Sequence, residues 1–331
     1  MKAYFLGAGA SAGTLQSRGI RVPVAVQFGS VLFEIDPGWT KKYSELVKIV
    51  NHLNLPLTNW PLEPVWTCMD YYAKLRNAVP GGQKWSGESP QLKRALLQVY
   101  GKRCDQAADS LPRDGSYTLG NFLQHELARG DVIISFNYDT VIERLARRFD
   151  RYIQPVGPLR RHGAILLAKP HGSTSWTMDF STCRVRSTSA SGGLLVDSLS
   201  PEDVTDDIKS RREPLVLGAV PIKSELIKEV QASYGDNGRS WIDVYQTIMG
   251  QWRTVVEAIR DADTLVIVGY SFPPEDQYGR FLIGEAMRLR RNSPPTIEFF
   301  ELPEKEEERS QAITDTFENR VAKPRYRGKI E

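Results

Sequence analysis

The apolar run Leu265-Val266-Ile267-Val268-Gly269 is short and ends in glycine, which is typical of a buried β-strand. A helical pattern from Ser240 to Ala262 leads into it, with apolar residues at three- and four-residue spacing: Trp241, Tyr245, Ile248, Trp252, Val255 and Ile259. A second helical pattern follows at Tyr278–Leu289, and then another apolar run at Ile297–Phe300. This alternation of helix and strand predicts a doubly wound parallel sheet.

Similar apolar runs predict strands elsewhere in the chain: Ala3–Leu6, Val132–Phe136, Ile165–Ala168 and Leu215–Val220. We therefore predict an α/β fold, a Rossmann-like and mostly parallel sheet flanked by helices, formed by residues 1–38 and 130–331. Residues 39–129 predict an all-helical insertion, with amphipathic patterns at Lys41–Leu53, Leu62–Ala78, Gln91–Ala108 and Leu119–Leu127. The stretch 181–212 predicts an irregular or β-rich excursion, and Arg320–Lys329 a frayed end.

Composition excludes several classes of function. The chain has 331 residues, and 43 Lys and Arg against 40 Asp and Glu give a formal charge of +3, so direct nucleic-acid or membrane binding is not expected. Cys68, Cys104 and Cys183 form no CxxC pair, which argues against a zinc ribbon or a disulfide framework and favours a cytoplasmic protein. No apolar run is long enough for a signal peptide or for a membrane span.

A run of small residues, Gly7-Ala8-Gly9-Ala10-Ser11-Ala12-Gly13, follows the first predicted strand. Such a turn lets a backbone approach a phosphate closely before a helix whose N-terminus favours anions. Tight packing of the helix against the sheet explains the same residues equally well. The acidic residue expected about 20 positions later is Glu34 or Asp36, and neither spacing fits well.

Polar residues follow two other predicted strands. Asn137 and Asp139 come after Val132–Phe136, where they predict either a ligand contact at the carboxyl edge or a turn and helix cap. His171 follows Ile165–Ala168 on a tight turn. The other three histidines, His52, His125 and His162, are predicted to be surface or packing residues.

Four motifs in one order resemble those of the sirtuin-like NAD-consuming proteins. They are Gly-Ala-Gly-Ala-Ser at 7–11, Ser-Phe-Asn-Tyr-Asp at 135–139, Lys-Pro-His-Gly-Ser at 169–173 and Gly-Tyr-Ser at 269–271, and Val266–Pro273 is especially similar to the bacterial branch. The resemblance implies that Gly7, Ala8, Gly9 and Ser11 surround the NAD phosphates. It also implies that Asn137 and Asp139 lie near the nicotinamide ribose and carboxamide, that His171 is the base, and that Gly269, Ser271 and Glu301 contact the second phosphate and the riboses.

The chain departs from the deacylating sirtuins at two points. They have Thr-Gln-Asn where this chain has Ser135-Phe136-Asn137, so the glutamine amide expected at the ribose is missing. They also hold a structural zinc with four cysteines, whereas only Cys183 follows His171 here. We therefore expect no zinc and no acyl-lysine cleft, and water becomes the expected acceptor.

These features together predict an NAD glycohydrolase that releases nicotinamide and ADP-ribose, with His171 as base, Asn137 orienting water and Asp139 aligning the leaving group. The resemblance to the bacterial branch further implies the NAD-depleting effector of an antiviral defence system. Its activation would come from a homo-oligomer or from a partner chain such as an ATPase or an Argonaute-like protein.

Three alternatives stay open at this stage. The first is a zinc-free protein deacylase or ADP-ribosyltransferase, which needs an acceptor groove beside His171. The second is a non-catalytic module that binds NAD or ADP-ribose, although pure binding requires neither Asn137 nor a base. The third is an α/β domain in which the glycines and the histidine are only structural.

Overall fold

The computed structural model of the chain describes residues 1–16, 24–69, 90–116, 118–156, 163–179, 184–191, 193–205, 212–216, 241–274, 276–290, 293–301, 303–317 and 324–328. Within these ranges, seven strands form a parallel sheet: β1 Lys2–Leu6, β2 Val132–Ser135, β3 Ile153–Pro155, β4 Ile165–Ala168, β8 Thr264–Val268, β9 Thr296–Phe300 and β10 Arg325–Tyr326. Their spatial order is β10-β9-β8-β1-β2-β4-β3. This architecture confirms the predicted α/β fold.

The central strand β1 shows why the sheet is buried on both faces. Successive side chains of a strand point to opposite faces, and the two sets belong to different apolar clusters: Ala3 and Phe5 on one face, Tyr4 and Leu6 on the other. An apolar run without polar alternation therefore suits this strand, as it does parallel strands in general.

Helices cover both faces. Tyr4 and Leu6 pack with the helices from the first half of the chain: Ala8–Gln16, Phe28–Ile35, Trp39–Lys42, Ser44–His52, 62–69, Pro90–Ser110 with a π-helical segment at Leu97–Arg103, Thr118–Glu126 and Val141–Arg148. Ala3 and Phe5 pack with three later helices, Trp241–Asp261, Gln277–Arg288 and Glu306–Thr316. Between β1 and β2, the described residues form no strand.

A smaller antiparallel sheet is inserted in the chain between the parallel strands β4 and β8. Its strands are β5 Gly172–Asp179, β6 Arg184–Arg186 and β7 Arg212–Val216, in the order β6-β5-β7. Between β6 and β7 the described residues are largely irregular, apart from a short helical turn at Pro201–Asp203. The described part of the segment 181–212, for which an irregular or β-rich excursion is predicted, thus combines strand and irregular backbone.

Several predicted boundaries differ from the structure. The strand predicted at Leu215–Val220 is β7, which begins at Arg212 and belongs to the antiparallel sheet, and residues 217–220 lie outside the described residues. The helix predicted at Leu62–Ala78 is seen at 62–69, and the rest lies outside as well. The prediction of a frayed end was wrong for Arg325–Tyr326, which pairs with β9 as an edge strand. No described helix is both long and apolar enough to cross a bilayer.

Candidate active site

The carboxyl ends of the central strands meet at one edge of the parallel sheet. Leu6 of β1 lies opposite Ser135 of β2 and Val268 of β8, so the segments that follow these strands leave the sheet together. In the sheet, β2 pairs with one side of β1 and β8 pairs with the other side, so the order of the strands reverses at β1. A reversal of this kind is where open α/β sheets bind ligands.

The small-residue turn after β1 packs directly against the segment after β8. A Cβ atom on Gly7 would lie 2.3 Å from the carbonyl oxygen of Gly269, and one on Gly9 would lie 2.8 Å from the Gly269 Cα. The amides of Gly7 and Gly9 donate to the carbonyls of Val268 and Gly269, both at 3.0 Å, and the Ala10 amide donates to Gly7. The glycines therefore serve close packing of two loops, and three amides of the turn already have backbone acceptors.

Ser11 connects this turn to the residues after β2. The Asn137 side-chain nitrogen donates to Ser11 Oγ at 2.9 Å, and Ser11 Oγ donates to Asp139 Oδ1 at 3.2 Å. The same Asp139 oxygen accepts the Val141 amide at 3.0 Å, so Asp139 also holds the start of the next helix. Burial raises the pKa of Asp139, while nearby Lys169 and the hydrogen bonds from Val141 and Ser11 lower it.

The side-chain oxygen of Asn137 is buried and accepts no hydrogen bond from the part of the chain that the structure describes. The residue as a whole is 7% exposed. An unsatisfied buried acceptor costs about 1–3 kcal/mol. A bound molecule that donates a hydrogen bond to this oxygen would remove the cost.

Lys169 forms a buried ion pair with Glu143 close to this edge of the sheet. Its Nζ donates to Glu143 Oε1 at 2.7 Å, to Ser173 Oγ at 3.1 Å and to the carbonyl of Asp139. Burial raises the pKa of Glu143, and Lys169 acts in the opposite direction. These hydrogen bonds link the residue after β4 to the helix Val141–Arg148 and to β5. They also place the Lys169 ammonium group next to the Asp139 backbone.

His171 lies on a turn that only glycine can close. The Gly172 amide donates to the Lys169 carbonyl at 2.9 Å, and Gly172 has φ +81°. A Cβ there would lie 1.9 Å from the carbonyl oxygen of Leu215. This backbone conformation fixes the position of the His171 side chain at the edge of the sheet.

Aromatic rings surround the His171 imidazole, which is 4% exposed as a residue. Its centroid is 5.2 Å from Phe136, 6.1 Å from Trp252 and 6.2 Å from Tyr138. Phe136 also stacks on Tyr270 at 4.0 Å. Phe136 is therefore part of the wall around His171.

Asp276 is the site residue that sequence reasoning missed. Its Oδ2 lies 2.8 Å from His171 Nε2, and its residue exposure is 0%. The Gly279 amide donates to Asp276 Oδ1 at 3.1 Å, so Asp276 is also the N-cap of Gln277–Arg288. An aspartate immediately before a helical pattern was the available signal, but it indicated a cap and gave no sign of the distant histidine.

The remaining predicted residues are not joined to this cluster. Glu301 Oε2 accepts Arg309 Nε at 2.9 Å, and Arg309 is buried, so the carboxylate is engaged in an ion pair. Ser271 is exposed. Glu34 and Asp36 form ion pairs with Arg103 and Lys42, at 3.2 and 2.7 Å.

Among the residues that the structure describes, His52, His125, Cys68 and Cys104 form no hydrogen bond or ion pair with this cluster. His52 and His125 are exposed, as predicted, and His162 lies outside the described residues. Cys68 and Cys104 are free thiols, and Cys183 also lies outside. In the described ranges, no three His, Cys, Asp or Glu side chains are grouped so that they could hold a metal ion.

No family model matches the chain, and a search of curated proteins finds no match either. Only the motifs and the geometry of the sheet edge therefore bear on the function of this chain.

Proposed function

We propose that this chain is an NAD glycohydrolase that cleaves NAD to nicotinamide and ADP-ribose. The observation that carries the proposal is the pairing of His171 with the buried Asp276 carboxylate, 2.8 Å apart, at the carboxyl edge of the sheet. An imidazole beside a carboxylate is the arrangement of a general base. The unsatisfied amide oxygen of Asn137 at the same edge supplies a hydrogen-bond acceptor for a ligand.

The proposed reaction requires no group from outside except water. The bond between C1′ of the ribose and the nicotinamide nitrogen breaks, and its electron pair leaves with nicotinamide. The water oxygen forms the new bond to C1′, and His171 takes the proton that the water loses. Asn137 Oδ1 would accept the other hydrogen of that water and so orient it, while Asp139 aligns the carboxamide of the leaving group.

Burial of the two central residues favours water over a macromolecular acceptor. His171 is 4% exposed and Asn137 is 7% exposed. NAD itself must reach the imidazole, and an acyl-lysine or another protein side chain would need a second opening beside the bound NAD, whereas water needs none. This observation supports hydrolysis over the deacylase and transferase alternatives.

The phosphates would lie over the turn after β1, near Gly7, Ala8, Gly9 and Ser11, with Gly269, Ser271 and Glu301 along the adenosine side. Because the amides of Gly7, Gly9 and Ala10 already donate to backbone carbonyls, we place the phosphate at the N-terminal end of the helix Ala8–Gln16, where the helix dipole favours an anion. No zinc takes part. By resemblance to the bacterial branch, we further propose a cytoplasmic, NAD-depleting role in antiviral defence, activated by self-assembly or by an ATPase or Argonaute-like partner.

Product analysis tests the proposal. The purified chain is incubated with NAD alone, nicotinamide and free ADP-ribose are quantified by chromatography, and the mass of the intact protein is measured afterwards. We expect equal amounts of the two products and an unchanged protein mass. ADP-ribose attached to the chain would indicate a transferase instead, and NAD binding without products would indicate a sensor module or a chain that requires its activator.

A further inference from the structure

Asp276 is a carboxylate enclosed by the protein. It is 0% exposed, and burial of a charge is costly unless partners compensate it. It accepts hydrogen bonds from the Gly279 amide at 3.1 Å and the Tyr270 hydroxyl at 3.3 Å, and the His171 Nε2 atom lies 2.8 Å from its Oδ2. A helix cap alone does not require burial, since most caps of this kind lie at the surface.

The two oxygens of Asp276 have different partners. Oδ1 accepts the Gly279 amide and caps the helix, whereas Oδ2 lies between the Tyr270 hydroxyl and His171 Nε2. Gly279 allows this approach, because a Cβ there would lie 2.5 Å from Asp276 Oδ2. Burial, and then the Asp276 carboxylate, raise the pKa of Tyr270 well above its ordinary value, so the tyrosine keeps its proton and remains a donor.

We propose that Asp276 is a positioning residue that fixes the orientation and the tautomer of His171; this rests on the proposed function, in which His171 is the base. Nε2 lies 2.8 Å from Oδ2, and because a carboxylate can only accept a hydrogen bond, the proposal assigns the ring hydrogen to Nε2 and the lone pair to Nδ1. During the reaction Nδ1 takes the proton from water. The adjacent Asp276 carboxylate stabilises the imidazolium that forms.

The substitution Asp276→Asn separates positioning from capping. Asparagine caps helices as well as aspartate does, so the Gly279 contact can be kept. The new amide group, however, can donate to Nε2 and thereby favours hydrogen on Nδ1 instead. Asp263→Asn is the matched control, because Asp263 directly precedes β8 at the opposite edge of the sheet and its side chain is 82% exposed.

Kinetics give the first readout. With Asp276→Asn we expect kcat for nicotinamide release to fall about 10²- to 10⁴-fold while KM changes by less than about threefold, and with Asp263→Asn we expect neither to change. A kcat for Asp276→Asn within about threefold of the original would overturn the proposal. A parallel fall in kcat and in the thermal midpoint, without a change in the histidine spectrum described next, would reduce Asp276 to a helix cap and also overturn it.

Nitrogen NMR of ¹⁵N-histidine gives a second readout that does not need turnover. The chain has four histidines, and loss of one signal in His171→Ala assigns the relevant one. We expect the Nε2–H form in the original protein and the Nδ1–H form in Asp276→Asn. The same tautomer in both would contradict the proposal. If the protein releases no nicotinamide but the tautomer changes, the proposed function fails while the positioning role of Asp276 stands.

Discussion

At the scale of single residues, the edge of the sheet concentrates buried ionisable groups. Asp139, Glu143, Lys169, His171 and Asp276 are each at most 4% exposed. Charges in such surroundings are tolerated only when partners compensate them, and each of these side chains faces one. Under the proposed function, this network holds the reacting groups in place before NAD binds.

Asp139 provides a pH-dependent prediction. Its pKa in the folded protein is raised above the ordinary 3.8, so the folded state retains a proton at pH values where the unfolded state has lost it. Folding stability therefore falls as pH rises through this interval. We expect Asp139→Asn, which lacks this titration, to gain stability relative to the original protein as the pH rises above the ordinary carboxyl pKa of 3.8. Urea unfolding across this pH range measures the difference; a constant difference would show that Asp139 does not titrate in this way.

At the scale of elements, the turn after β1 and the segment after β8 act as one unit. Gly269 has φ +58°, and a Cβ on it would lie 2.5 Å from the Ala10 nitrogen. With Gly7 and Gly9 on the other side, the two backbones are in direct contact. Any side chain inserted here must move one loop away from the other.

Gly9 and Gly13 allow a matched comparison, since both belong to the helix Ala8–Gln16. A Cβ on Gly13 meets nothing within 4 Å, so Gly13→Ala should stabilise the fold by about 0.5–1 kcal/mol through helix propensity. Gly9→Ala should destabilise it instead, because its Cβ meets the Gly269 backbone. Denaturant midpoints of the two variants test this, and equal effects would show that the loops are not closely packed. Under the proposed function, Gly9→Ala also weakens NAD binding and Gly13→Ala does not.

The elements differ in how well the sequence predicts them. The strands β1, β2, β4, β8 and β9 were predicted within one residue at each end, because continuous apolar runs between turn residues are distinctive. The short strands β3 and β10 give no such run. The missed strand β5 begins Gly-Ser-Thr-Ser, and its buried hydroxyls satisfy one another and the backbone, which only the tertiary structure reveals.

The sequence predicts part of the candidate site, namely the residues that directly follow predicted strands. His171, Asn137 and Asp139 follow predicted strands, so their shared edge follows from the order of elements. Asp276 lies far from His171 in the sequence, and its role depends on how the helix Gln277–Arg288 begins. The sequence also left open whether the glycines contact a phosphate or pack loops, and only the distances to Gly269 show the packing.

At the scale of the whole molecule, the Lys169–Glu143 pair joins elements that are distant in sequence. Both side chains are almost fully buried, 1% and 2% exposed. Removing one partner of such a pair leaves the other charge uncompensated in the interior. The pair therefore matters for global stability even if the reaction does not use it.

We expect Lys169→Met to lower the free energy of unfolding by about 3–5 kcal/mol. The double variant Lys169→Met with Glu143→Leu should be less destabilised than Lys169→Met alone, because no unpaired charge remains. Urea unfolding of both variants and of Glu143→Leu completes the cycle. A double variant as unstable as the sum of the two single variants would show that the pair is not coupled.

His171-dependent cleavage of NAD is the central claim, and the most direct test is nicotinamide release from NAD by the purified protein, compared with His171→Ala and with His52→Ala. His52 is an exposed histidine on a surface helix and serves as the matched control. We predict release by the original protein and by His52→Ala, and a rate about 10²- to 10⁴-fold lower for folded His171→Ala with NAD binding largely retained. Equal rates for all three proteins would contradict the role of His171 as the base.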